Sequence, residues 1–196
     1  MGVTLFRGLH DELRPQAAQL YWQAFGGKLG RVLGPKRRAL RYLERVIRSD
    51  LCYSAVTSRG ELIGIAGYRL AFGSFAGGTW SDLTAVYGPL GGQVRGRLLR
   101  LLVRDEKEDE GFLIEGICVA ERHRSRGVGS MLLAALYREA AERGYRAIRL
   151  DVVESNHRAI ALYQRQGFQP LRTDRMGLLR LVFGFAASTA MIRPLD

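Results

Sequence analysis

The sequence predicts an α/β fold, a mixed β-sheet with helices packed on its faces. Three observations predict it. The second half of the chain alternates between two kinds of run, in the order strand, helix, strand, helix, strand. In the first half, Ser58-Arg59-Gly60 separates two β-rich runs and reads as a hairpin turn. The composition, 47% hydrophobic and 25% charged over 196 residues, lies near the globular average, and a chain this long builds a core without disulfides or metals. No internal repeat or low-complexity linker divides it, so residues 1–196 are read as a single domain.

Each element follows from its local pattern. Val3 to Leu9 reads as a first strand. From Pro15 to Phe25, the apolar Leu20, Tyr21, Ala24 and Phe25 fall at helical spacing, and Pro15 suits a first turn. A second helix is predicted from Pro35 to about Arg48, with Leu40, Leu43 and Ile47 on its buried side. Leu51–Thr57 and Glu61–Phe72 are the hairpin strands. After a Gly/Ser-rich stretch and a segment holding Trp80 and Asp82, Val94–Val103 reads as a short basic helix and Asp105–Glu110 as an acidic run. Phe112–Val119 is a strand, and a long helix runs from about Gly127 to Arg143 with Gly144 as its stop. Tyr145–Val153 is a strand and Asn156–Gln166 a helix ended by Gly167. The remainder is β-like around Phe168–Leu171 and Ala186–Ile192.

Several function classes are set aside on composition. Cys52 and Cys118 sit in apolar runs and read as buried thiols. With three histidines and no zinc spacing, no metal is expected. No secretory leader is read at the amino terminus, and Phe6 stands where a myristoylation motif needs Ser or Thr. Met176–Met191 is too short to span a bilayer, so a soluble, cytoplasmic protein is expected. The net charge of +11 favours an anionic partner: nucleic acid, a membrane surface or a phosphorylated small molecule.

The informative turn is Ile117-Cys118-Val119-Ala120-Glu121-Arg122-His123-Arg124-Ser125-Arg126-Gly127-Val128-Gly129-Ser130. A strand ends at Val119, a basic loop follows, and a helix begins near Gly127. The first N–H groups of that helix lack internal partners and carry the positive end of its dipole. Two glycines open the backbone to a phosphate, and Arg122, Arg124 and Arg126 add charge. The turn therefore reads either as a pyrophosphate cradle or as a tight strand-to-helix connection. It is neither a Walker loop nor a dinucleotide fingerprint, since Leu132 stands where the latter needs glycine. Downstream, Ser155 or Asn156 caps a helix on which Ala159, Ile160 and Leu162 pack. Tyr163 presents its ring to the core and its hydroxyl to the surface.

Together these two segments resemble the GNAT superfamily of acyl-CoA-dependent N-acyltransferases. Arg124-Ser125-Arg126-Gly127-Val128-Gly129 is similar to the family's acyl-CoA loop. Asn156, Ala159, Leu162-Tyr163 and Gly167-Phe168 are similar to its second characteristic segment, at the expected distance. The match is strongest over residues 112–172, read as the acyl-CoA-binding core. It implies a mixed, mostly antiparallel sheet of about six to seven strands with helices on both faces.

The resemblance also implies a chemistry: an acyl group, by default acetyl from acetyl-CoA, passes to a primary amine by direct attack in a ternary complex. The implied acyl-CoA contacts are Cys118, Val119, the run Arg124, Ser125, Arg126, Gly127, Val128, Gly129 and Ser130, then Asn156 and Tyr163. In this picture the Val119 N–H polarises the acyl carbonyl and Tyr163 protonates the departing thiolate. Glu115 is the candidate base. Strand alternation places it on the face of Val119, with Cys118 facing away, unless a bulge intervenes. Asp82, Glu121 and His123 are weaker candidates, and His123 reads as a solvated loop residue.

The sequence departs from the family's pattern between the third and fourth strands. About forty residues, 73–111, lie where a short turn is usual, and they are expected to shape the acceptor pocket. The apolar residues of 176–191 read as core, pocket lining or a homodimer contact. Two other functions compete: a CoA-sensing module without turnover, and nucleic-acid binding through the basic residues between Arg31 and Arg48. The second ranks last, because no aromatic stacking series accompanies the charge.

Overall fold

The computed structural model describes residues 2–101 and 111–195. In chain order come β1 (Val3–Arg7), α1 (Arg14–Leu33), α2 (Lys36–Val46), β2 (Cys52–Thr57), β3 (Leu62–Leu70), β4 (Gly73–Ser74) and α3 (Trp80–Arg100). Then follow β5 (Phe112–Val119), α4 (Val128–Glu142), β6 (Ala147–Val153), α5 (His157–Arg165), β7 (Gln169–Arg175), α6 (Arg180–Phe183) and β8 (Ala187–Pro194). The sheet has eight strands in the order β1-β2-β3-β5-β6-β8-β7, with β4 paired to β3. Among the described strands all pairings are antiparallel except β5 with β6. The strand count exceeds the expected six to seven because the two-residue β4 adds a short return on β3.

Helices cover both faces. Gly116 of β5 looks toward α1, where a Cβ would stand 2.7 Å from the Phe25 ring. Gly64 of β3 looks the other way, toward Val128 and Leu132 of α4. The main core lies between these layers and includes Tyr68, Phe75, Phe112, Leu132 and Leu133.

Two helices differ from the predicted ones. α1 continues past Phe25 to Leu33 despite Gly26, Gly27 and Gly30. Glycine weakens a helix in isolation, but here its bare backbone admits the Trp22 ring, which a Cβ on Gly26 would meet at 3.0 Å. α3 begins at Trp80 under a capping box in which Thr79 and Asp82 bond each other's backbone N–H, and residues 94–100 of the predicted basic helix lie in its second arm, while 102–103 lie outside the described residues. Gly88, with φ 77°, and Pro89 bend it. α3 packs on α2 in a second core of Leu33, Ala39, Tyr42, Val46, Leu83 and Tyr87. The acidic run 105–110 lies outside the described residues. The apolar stretch before β8 forms a 3-10 turn (Gly177–Leu179) and α6, which bury Phe183 and leave Leu178 and Leu181 exposed.

Candidate active site

The sheet opens in its middle. β5 and β6 are in register only at Phe112–Ile148, Leu113–Arg149 and Ile114–Leu150; beyond these pairs the strands diverge. The break coincides with a bulge. Gly67 pairs with Gly116 and Tyr68 with Ile114, so Glu115 is an extra residue opposite no partner. A cavity of about 350 Å³ occupies the opening, bounded by β5, β6, α1, α5 and the α6–β8 loop.

The bulge corrects the expected facing. Val119 points toward α4, its Cγ2 lying 4.0 Å from the place of a Cβ on Gly129. Glu115 is turned to the α1 side, where it contributes with Cys118 to the electrostatics of Tyr21. Glu115 therefore does not share the face of Val119, and Cys118 does not face away from it. The Ser74 Oγ donates to Glu115 at 2.6 Å, the Ala76 N–H donates at 3.3 Å, and Arg69 Nε stands 4.0 Å away. The Ser74 and Ala76 donors flank Phe75, which packs over Gly67; a Cβ there would stand 2.1 Å from the Phe75 ring.

At the end of β5 the Ala120 N–H donates to the Ile63 carbonyl at 2.8 Å. Antiparallel alternation then turns the polar groups of Cys118 toward β3 and those of Ile117 and Val119 into the opening. The Val119 carbonyl accepts from Arg124 Nε at 3.1 Å. The backbone of Cys118 serves β3, and its thiol is buried, with a pKa pushed far up by desolvation.

The loop after β5 enters α4 through Ser125 (φ 60°) and Gly127 (φ 82°), a left-handed conformation that favours glycine. The first α4 bond from beyond the turn is Met131 N–H to the Gly127 carbonyl. The N–H groups of Gly127, Val128, Gly129 and Ser130 thus have no helical acceptor. No atom lies within 4 Å of a Cβ built on Gly127, so the space above the turn is clear. Of the flanking arginines, Arg122 pairs with Glu61 and Arg126 is exposed. His123, expected in solvent, is buried; burial first, then the Arg126 and Arg122 charges, lowers its pKa. Asp82 is committed to the α3 cap and to Arg45, at 2.6 Å.

α5 supplies Asn156 and Tyr163 to the cavity. Asn156 caps the helix: its Oδ1 accepts from the Ala159 N–H at 3.2 Å, leaving its amide NH₂ for other partners. Tyr163 is buried edge-on to Phe168, with ring centroids 5.7 Å apart. Burial, then Cys118 and Tyr137, raises its phenol well above the ordinary tyrosine value.

The sequence reading missed the α1 side of the cavity, where Lys28 and Phe185 face each other with Nζ 5.1 Å from the ring centroid. The predicted helix stops at Phe25, whereas α1 continues through Gly26 and Gly27 and so carries Lys28 into the lining. Among its described residues, the insertion touches Glu115 through Ser74 and Ala76. Among the described residues, no cluster of three or more His, Cys, Asp or Glu could hold a metal ion, and no helix is long and apolar enough to cross a membrane.

A family model described as the acetyltransferase (GNAT) family matches residues 14–168. The chain belongs to the GNAT acetyltransferase family. A solved acetyltransferase superposes with TM-score 0.64 at 20% identity, over 98% of this chain and 100% of the other. The ribosomal-protein-S18-alanine N-acetyltransferase of Escherichia coli does so with TM-score 0.56 at 18% identity, over 100% and 95%. At these identities the likeness is one of fold. L-ornithine N5-acetyltransferase NATA1 of Arabidopsis thaliana is 33% identical over 67 residues, 34% of this chain, and the match spans only 29% of that enzyme's length. In this GNAT chain the gap between β5 and β6 brings Glu115, Asn156 and Tyr163 to one cavity, while the α4 turn stands at the end of β5.

Proposed function

We propose that the protein is an acetyl-CoA-dependent N-acetyltransferase that acylates a primary amine by direct attack in a ternary complex. One observation carries this reading. The opened sheet is a slot with an unpaired, dipolar helix start on the α4 side and a hydrogen-bonded carboxylate on the α1 side. Two substrates can meet in such a slot from opposite faces.

Acetyl-CoA supplies the acyl group as an activated thioester. The N–H groups from Gly127 to Ser130 hold the pyrophosphate, with Arg124, Ser125 and Arg126 forming the loop that aims them. The Asn156 amide gives a further contact. The Val119 N–H, fixed by the β3–β5 ladder, donates to the acyl oxygen as charge builds there. Glu115 receives the proton that the incoming ammonium must lose. Ser74 and Ala76 occupy two of its about four acceptor positions and leave the others for the substrate. Tyr163 delivers its proton to the departing sulfur.

Calorimetric titration with acetyl-CoA, and with desulfo-CoA as an unreactive control, tests the reading. Saturable micromolar binding is expected, lost in Gly129→Val, followed by thiol release in an amine screen. Failure of both ligands to bind overturns it.

A further inference from the structure

The acyl-transfer reading leaves the cation of the cavity without a task. Glu115 and Asp151 are the carboxylates of the lining, and Lys28 is its cation. Lys28 is half-buried on α1 and is held in place by the opposite wall. A Cβ on Gly184 would stand 3.5 Å from the Gly27 carbonyl, so the α6–β8 loop lies close on the helix. Arg31 donates to the Leu181 carbonyl on the same segment. This seating puts the Phe185 ring 5.1 Å from the Lys28 ammonium. No carboxylate of the described residues lies within ion-pair distance of Lys28.

An ammonium held at a cavity wall without a carboxylate partner is costly to keep charged, and burial lowers the Lys28 pKa while the more distant Asp151 opposes this. An anionic group entering the cavity removes that cost. Lys28 and Glu115 also mark the α1 side, away from the helix start assigned to the pyrophosphate.

We propose that Lys28 is the anion anchor of the acceptor subsite, and that the acceptor is a small amine bearing a carboxylate, such as an amino acid. Its ammonium is presented to Glu115 and its carboxylate to Lys28. The cavity, of about 350 Å³, is on the scale of a small molecule. This inference rests on the acyl-transfer reading above.

The test follows thiol release from acetyl-CoA with L-amino acids and their matching amino-acid amides, pairs that differ in the charge of one end. The acids are expected to exceed the amides by about tenfold or more in kcat/KM, with the difference in KM. Lys28→Met, which keeps the stem and removes the charge, closes that gap and leaves acetyl-CoA affinity unchanged; Lys28→Arg preserves most of it. Equal use of acid and amide by the unaltered protein overturns the proposal, as does an equal loss for both in Lys28→Met. Acetyl-CoA binding without turnover of any acid removes the anchor alone, whereas absence of acetyl-CoA binding removes the acyl-transfer reading as well. Acetylation of Lys28 itself, found by peptide mapping after incubation with acetyl-CoA alone, would make it an acceptor and also overturn the proposal.

Discussion

Tyr163 shows how burial sets a residue's chemistry. Its ring packs on Phe168, and its phenol is desolvated near Cys118 and Tyr137, which destabilises the phenolate. A folded pKa above the ordinary 10.0 means that the proton stays on oxygen through the neutral and mildly alkaline range. In its proposed role as acid, Tyr163 therefore still carries its proton at the mildly alkaline pH where an amine begins to lose its own. Tyr163→Phe is expected to lower kcat by about 100-fold with the acetyl-CoA dissociation constant unchanged. The unaltered protein should show no descending limb of kcat from this residue below pH ~10. A limb near neutrality that disappears in Tyr163→Phe would contradict the assignment.

Among the elements, α4 has the most to hold, because its first turn is the proposed pyrophosphate site and its last turns anchor it to the sheet. The anchor is Glu139, whose side chain is fully buried. Arg7 of β1 donates to it at 2.7 Å, the Tyr53 hydroxyl of β2 at 2.7 Å, and Arg143, one turn on, at 2.6 Å. Burial alone would raise the Glu139 pKa, but the bonds from Tyr53, Arg143 and Arg7 outweigh it and hold the carboxyl below its ordinary 4.5. A depressed folded pKa gives stability that is complete above the unfolded value and lost as pH falls through the folded one. Glu139→Gln should therefore cost about 3 kcal/mol at pH 7, because it leaves buried donors facing a neutral amide. Urea unfolding at descending pH should show the gap between the two proteins narrow below the ordinary carboxylate range. A gap independent of pH would exclude the charge as its cause.

At the scale of the whole molecule, the net charge of +11 favours approach of the polyanionic thioester proposed as substrate. Lys36, Arg37, Arg38, Arg41 and Arg45 of α2 are exposed and add to that field. Such a field raises the encounter rate with an anionic ligand and is screened once the Debye length falls to about 8 Å at physiological ionic strength. The kcat/KM for acetyl-CoA is expected to fall as salt is added, through slower association, while kcat at saturation holds steady. Stopped-flow binding across a salt series measures this, and a flat association rate would exclude steering.

Much of this molecule was legible in the order of its residues. The β-rich runs located the described strands longer than two residues, because such runs are local properties, although the exposed β7 continues to Arg175, past the predicted Leu171. The start of α4 near Gly127 was equally legible as a strand-to-helix turn, and glycine there permits the left-handed backbone that the structure shows. The second arm of α3 was read and its first arm was not, because Gly88-Pro89 looks like a loop until Tyr87 and Leu83 are seen packed on α2. What the tertiary structure alone decided is how the two sides of the slot face. One extra residue at Glu115, opposite the step from Gly67 to Tyr68, reverses the parity of β5. Whether a strand bulges depends on its neighbour's register, and Lys28 reaches the cavity because Gly27 and Gly184 bring distant segments together. Periodicity belongs to the chain's own backbone, whereas facing and approach are properties of pairs of segments far apart in sequence.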